Sequence, residues 1–370
     1  SSMPCVGPRD SNGRTLDLSP LVASPRFSTS VGAPRKRETR YQPVELERTP
    51  RKYRLEFALE DDSSRYLDLD RIDLVFVNTV TGREIKPRRV EQIDLVDTSD
   101  PSELHPAPTS LDVLASWQRN NRGLRVRRTG PAELAVRRGT HRVERDLIFP
   151  DGYGVRIQRG TELRLGAGVV MLIKGGLTIA GSEDNPVRIR PIDPSQPFGS
   201  IAALGDGSNK TRISYLDLSG GSEGWVRGAY FSGALSIHYQ DRVQISHTRI
   251  TDSRADDGLN IKYATGMISD SVFTGNQTDQ VDLDYFDGVV ARSAFENGGG
   301  RDSNGDGIDI SGSRLLVVDN EFAGFIDKGA SVGEQSAVLL YRNSFRENLR
   351  GVAVKDLSDA YFLDNGFNAN

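Results

Sequence analysis

Acidic, amide and basic side chains recur at a fixed interval between Ser236 and Lys355 of this chain. One column reads Ser236, Asn260, Asp282, Asp309, Ser331. A second, two residues along, reads His238, Lys262, Asp284, Ser311, Gly333, Lys355. A third reads Asp257, Asp279, Asp306, Lys328, Arg350. If neighbouring members sit on strands ~4.8 Å apart, their carboxylates repel, and one must take a proton, a cation or a metal. Paired acids such as Asp282 and Asp309 suit glycoside hydrolysis, which needs carboxyl groups about 5–5.5 or 6.5–9.5 Å apart. Ca2+ is the second possibility, since it takes oxygen ligands at ~2.3–2.6 Å. The run Asp302-Ser303-Asn304-Gly305-Asp306-Gly307 has the Asp-x-Asn-x-Asp-Gly opening of calcium loops, although Ser313 stands where an EF-hand has Glu. Asp284, Asp302, Asn304 and Asp306 are therefore candidate calcium ligands. The plainer reading of Asp, Asn and Gly together is a tight turn. His238 is a candidate base. Lys262, Asn260, Tyr263 and Tyr285 are candidate substrate-binding groups, the tyrosines as sugar-stacking faces or simply as strand-edge packing. Trp225, in a glycine-rich segment, either flanks a groove or caps a loop.

The spacing also dictates the elements that must position these residues. The apolar residues Ile250, Phe273, Phe295, Phe322, Phe345 and Phe367 fall at intervals of 23, 22, 27, 23 and 22 residues. The turn markers Asp257, Asp279, Asp306, Lys328 and Arg350 fall at intervals of 22, 27, 22 and 22. Both series contain the same five-residue insertion. The triplets Leu259-Asn260-Ile261, Val281-Asp282-Leu283, Ile308-Asp309-Ile310, Ala330-Ser331-Val332 and Val352-Ala353-Val354 superimpose, with apolar residues flanking a middle residue that is polar in most of them. In a strand this alternation sends apolar residues to one face and polar ones to the other. A unit of about 22 residues cannot bury its own apolar face, but stacked copies can. The pattern predicts an all-β fold, a right-handed parallel β-helix, with the phenylalanines piled inside. The Leu-x-x-Leu-x-Leu spacing of a leucine-rich horseshoe is absent, as are the crossover helices of a doubly wound sheet.

Composition sets the wider limits. Of 370 residues, 36% are hydrophobic and 26% charged, which allows a large core. No apolar run approaches the ~18 residues of a membrane span. The single cysteine, Cys5, excludes an internal disulfide framework. Residues 251–370 carry 20 acidic and 10 basic side chains, against 31 and 37 in the first 250. Arginines cluster from Arg119 to Arg145. They lack the interleaved aromatics of a nucleic-acid stacking platform, and Glu133 and Glu144 interrupt them, so a nucleic-acid partner is not expected. The expected organisation is a tail or linker over 1–45, a small β module over 46–108, a connector over 109–130 and the β-helix over 131–370. The Ser1-Ser2-Met3-Pro4 start, without a basic and apolar leader, suggests a removed signal or a piece of a longer protein.

The stretches Gly139–Val143 and Leu147–Gly152, followed by Ile157–Leu163, resemble the opening coils of right-handed β-helix proteins of the pectate-lyase-like superfamily. Gly305–Ser313 and Asp327–Glu334 resemble β-helical segments found beside spore-coat-protein-H-like kinase domains, but no kinase motif is present. The resemblance covers roughly residues 140–370. Its polysaccharide lyases pair Ca2+ with a lysine base and an arginine one coil later, which implies catalytic roles for Lys328 and Arg350. The expected function is binding or processing of a polysaccharide in a secreted or cell-envelope setting, and the lyase likeness implies an acidic one. The alternative is a non-catalytic glycan-binding or spacer domain of a larger surface protein.

Overall fold

The computed structural model describes residues 76–77, 84–85, 111–226, 228–296 and 304–370. The expected tail over 1–45 and most of the β module lie outside them. Phe76–Val77 pairs antiparallel with Glu84–Ile85. The rest of the described chain is a parallel β solenoid preceded by one short helix.

Each coil turns through three faces. In the coil that starts at Asp257, the strand Asp257–Ser269 runs along the first face, bends at Tyr263 and continues along the second. Val272–Thr274 forms the third face. Successive third-face strands stack in a ten-stranded sheet from Gly139–Val143 to Gly366–Asn368, and the first two faces merge into a seventeen-stranded sheet. All these ladders are parallel except the pairing of Val126–Gly130 with Glu133–Val136, where the chain enters.

The register follows the repeat. Asn260 pairs with Asp282, Asp282 with Asp309, and Asp309 with Ser331. Phe273, Phe295, Phe322, Phe345 and Phe367 stack with ring centroids 4.6–5.3 Å apart, and the first four are fully buried. The third-face strands Ala294–Glu296 and Glu321–Ala323 stay paired across the insertion.

A solenoid leaves its core open at the ends. Leu111–Asn120 closes the first of them. Leu114 and Leu124 join the core, Trp117 packs tilted against Phe149 with centroids 5.1 Å apart, and its indole N–H donates to the Ile148 carbonyl at 2.7 Å. A second addition interrupts the solenoid wall. Gly224–Val226 and Ala229–Phe231 form an antiparallel hairpin outside the first face. There Val226 and Phe231 cover Val170, Leu172 and Ala202. A Cβ at Gly224 would come within 2.6 Å of Val170 and 3.1 Å of the Ser200 nitrogen, so only glycine lets the hairpin lie this close. Among the described residues, no helix is long and apolar enough to cross a membrane.

Candidate active site

The first face is apolar where the hairpin covers it and polar beyond. Its outward columns are the ones the spacing predicts, and the side chains within them are tightly coupled. The Nδ2 of Asn260 donates to Asp282 at 2.7 Å, which turns its Oδ1 toward His238 Nε2, also at 2.7 Å. That contact requires a proton on Nε2, so in the neutral imidazole the lone pair is on Nδ1. Burial holds the His238 pKa down to about 4, with the Lys262 charge adding to the effect and the Asn260 contact opposing it. His238 is therefore neutral across the physiological range. Asn260 is fully buried, with both ends of its amide engaged. It positions its two neighbours and is not open to a substrate.

Several carboxyls around this relay are pushed above the usual carboxylate range. Burial, reinforced by Asp256, pushes Asp257 up to about 8. Burial and the Asp257 charge raise Asp279 and Asp282 well above the usual carboxylate range. Asp306 rises to about 7 through burial, with its Lys328 ion pair pulling the other way. Charges stacked at strand spacing in a dry environment favour the neutral acid. The turn column also has a structural task. Asp279 accepts from the Asp306 backbone N–H at 2.7 Å, and Asp306 from that of Lys328 at 3.1 Å.

The lysines act as counter-ions. Lys262 lies 2.5 Å from Asp284. Burial lowers its pKa, but Asp284 and Asp282 more than offset that, and the net shift is upward. The Lys328 ammonium, only 8% of the residue being exposed, contacts Asp306 at 2.9 Å and also Asp327. Burial is again outweighed, here by those two carboxylates, so Lys328 stays charged. A lysine held this way has no lone pair with which to take up a proton, which removes the physical basis for the expected base role of Lys328. Arg350 contacts the other oxygen of Asp327 at 2.5 Å.

The expected calcium ligands fare similarly. Asp284 and Asp306 direct oxygens at ammonium groups, Asn304 is exposed, and Asp302 lies outside the described residues. Among the described residues no group of three or more His, Cys, Asp or Glu side chains is arranged to hold a metal ion.

Tyr239, Tyr263 and Tyr285 stack at the corner after the first face, with centroids 4.9 and 4.7 Å apart. Both faces of Tyr263 are covered by its neighbours. The free face of Tyr285 lies over Gly312, where a Cβ would come within 2.6 Å of the ring. These two rings expose edges and hydroxyls rather than sugar-stacking faces. A more exposed aromatic pair lies elsewhere, on the hairpin. Trp225 is 68% exposed and Tyr230 40%, with centroids 4.8 Å apart. The Trp225–Tyr230 run, with Gly228 at the turn, is a hairpin signal in the sequence. It lies outside the repeat, where no spacing points to it.

Residues 257–370 match the family model described as "Right handed beta helix region". That match and the three-faced parallel solenoid make the fold a right-handed parallel β-helix. Among solved structures, the chain is similar to an alginate lyase from Paenibacillus sp. str. FPU-7, at 12% identity and a TM-score of 0.27, covering 58% of this chain and 92% of the lyase. It is also similar to the periplasmic alginate epimerase AlgG, at 11% identity and a TM-score of 0.30, covering 65% and 80%. A third similarity is to ORF18 of Geobacillus virus E2, at 10% identity and a TM-score of 0.22, covering 80% and 68%. No curated protein sequence matches.

Proposed function

We propose that the first face of the solenoid processes a polysaccharide outside the cell or in its envelope, by hydrolysis of a glycosidic bond. The observation that supports this most is Asp282. It is partly exposed on the face, burial and the neighbouring Asp257 charge push its carboxyl well above the usual carboxylate range, and it is oriented by the Asn260–His238 relay. A carboxylic acid that keeps its proton near neutral pH is the group needed to protonate a glycosidic oxygen.

Asp309, its register partner one coil later, is also partly exposed, and its Oδ1 has no hydrogen-bond partner. It is the proposed base or nucleophile. The ~4.8 Å coil spacing is close to the about 5–5.5 Å carboxyl separation of retaining enzymes. Lys262 and Asp284 border the pair and hold the sugar hydroxyls. Elimination is the weaker alternative, because it needs an uncharged base where Lys328 carries an ammonium.

Incubation with a panel of glycans, scored by new reducing ends, tests the reading. Asp282→Asn and Asp309→Asn should each lower the rate by about 10^2–10^4-fold. Activity should decline toward alkaline pH as Asp282 loses its proton. Product absorbing as an unsaturated uronate, or full activity in Asp282→Asn, would sink the proposal.

A further inference from the structure

The proposed hydrolysis leaves open which sugars the face accepts, and the charge around the hairpin bears on that. Trp225 and Tyr230 form an exposed aromatic platform at the end of the face nearest His238, whose ring packs against Phe231 of the same hairpin at 5.4 Å. The Tyr230 hydroxyl donates to Glu223 at 3.0 Å. Asp256 lies close enough to feel the Glu223 charge, and Asp257 follows it in the chain. Burial, Glu223, Asp256 and Asp257 together keep the Tyr230 phenol protonated.

Two buried polar atoms beside the platform lack partners. Ser232 Oγ, directly after the hairpin, and Asp257 Oδ2 make no hydrogen bond, although Ser232 is 8% and Asp257 2% exposed. The two residues are joined through the backbone, the Asp257 N–H donating to the Ser232 carbonyl at 3.2 Å. An unpaired buried polar atom is destabilising, and a ligand hydroxyl or amine would satisfy it. Further along, Asp282, Asp284 and Asp309 add carboxyls, while the ammonium groups of Lys262 and Lys328 are already paired with Asp284, Asp306 and Asp327. A polyanion would meet mostly carboxyls here, with the exposed Arg254, two residues before Asp256, as a cation beside them.

We infer that the Trp225–Tyr230 platform, with Glu223 and Asp256 beside it, is a subsite for a cationic glycan, a polymer of hexosamines carrying free amines. The aromatic faces take the sugar ring, and an ammonium over Trp225 gains a cation–π contact. The carboxylates of Glu223 and Asp256 take the remaining charge. This reverses the acidic substrate that the resemblance implies. It rests on the glycan-processing reading of the same face.

The test is calorimetric binding of three hexasaccharides to the full chain at about pH 6: glucosamine, N-acetylglucosamine and galacturonate. The expected result is at least about tenfold tighter binding of the glucosamine hexamer, weakened by salt. Trp225→Ala should lose about tenfold of that affinity with an unchanged melting temperature, because the side chain is mostly exposed. Glu223→Gln combined with Asp256→Asn should abolish the preference for the amine while keeping ring stacking. Equal or tighter binding of the N-acetylated or uronate hexamer, no binding of any of the three, or an unchanged Trp225→Ala variant would overturn the inference. Hydrolysis is scored separately. Binding of the amine polymer without cleavage refutes the hydrolase and leaves the subsite standing; cleavage of a neutral glycan without amine preference does the reverse.

Discussion

Two columns of charged residues run up this solenoid with the same spacing and opposite electrostatics. At the corner between the second and third faces, Asp270, Arg292, Asp319, Arg342 and Asp364 alternate in sign, all with positive φ. Arg292 grips Asp270 with bonds of 2.7 and 2.8 Å, and Arg342 grips Asp319 with bonds of 2.7 and 2.6 Å. Hydrogen bonds from the arginines hold both aspartates below their usual range. In the turn column, Asp257, Asp279 and Asp306 follow one another without a change of sign until Lys328, and their carboxyls are pushed up. Alternation at strand spacing neutralises each charge locally. Repetition in a buried setting stores protons, and such perturbed groups gather at functional sites. One column serves stability and the other is placed to serve chemistry.

The largest expected effect comes from removing the cation that ends the buried run. Lys328→Met leaves Asp306 and Asp327 without their shared ammonium. Breaking a buried pair from one side should cost about 3–5 kcal/mol at neutral pH, read by urea unfolding. Adding Asp306→Asn to the same chain should recover part of the loss. A loss below about 1 kcal/mol would place Lys328 with the exposed corner pairs.

A smaller effect distinguishes the columns by pH. Asp257 has a folded pKa of about 8 against an ordinary 3.8. The native state therefore binds more protons than the unfolded chain between those values, and stability falls as pH rises through that window. Asp256, Asp279, Asp282, Asp284 and Lys262 face the same group, and burial raises Asp256, Asp279 and Asp282 with it. Asp257→Asn should flatten the slope and leave the variant more stable than the parent above pH 8, by about 1–3 kcal/mol. Asp270 and Asp319 titrate in the opposite sense. Their depressed values give stability that is present above the unfolded pKa and lost under acid. A melting temperature that rises from pH 5 to pH 9 would contradict the assignment of the buried column.

Much of this is legible in the sequence, for a physical reason. A solenoid imposes one register on every residue, so the interval that stacks Phe273 on Phe295 also stacks Asp257 on Asp279 and Asn260 on Asp282. The spacing shows which Cα atoms are neighbours. It does not show where side chains turn. Hence the sequence offers Lys262 and Lys328 to substrate and chemistry, while the structure pairs their charges with Asp284, Asp306 and Asp327. Tyr263 and Tyr285 do stand in a column, yet the same closeness that aligns them covers their faces. Trp225 is noticed in the sequence only as a groove flank or loop cap, because its hairpin lies outside the period and is held by contacts with Val170, Leu172 and Ala202 from distant coils. Glu223 escapes notice for the same reason.

The smallest effect tests whether sign alone makes the difference. Arg292→Asp puts a third acid between Asp270 and Asp319, so that three successive coils carry aspartate at this corner. That copies the run of the buried column on an exposed surface. Solvent screens such charges, and side-chain exposure is already 53% at Arg292 and 30% at Asp270. The variant should fold, melt slightly lower at low salt and regain most of the difference at about 1 M salt, where screening reaches ~3 Å. Its Asp270 resonance should titrate higher than in the parent, because the arginine hydrogen bonds are gone. A shift as large as that of Asp257 would show that stacking distance by itself sets these pKa values. A modest, salt-sensitive one would show that burial against the hairpin side of the first face is what turns a row of aspartates into acids that keep their protons.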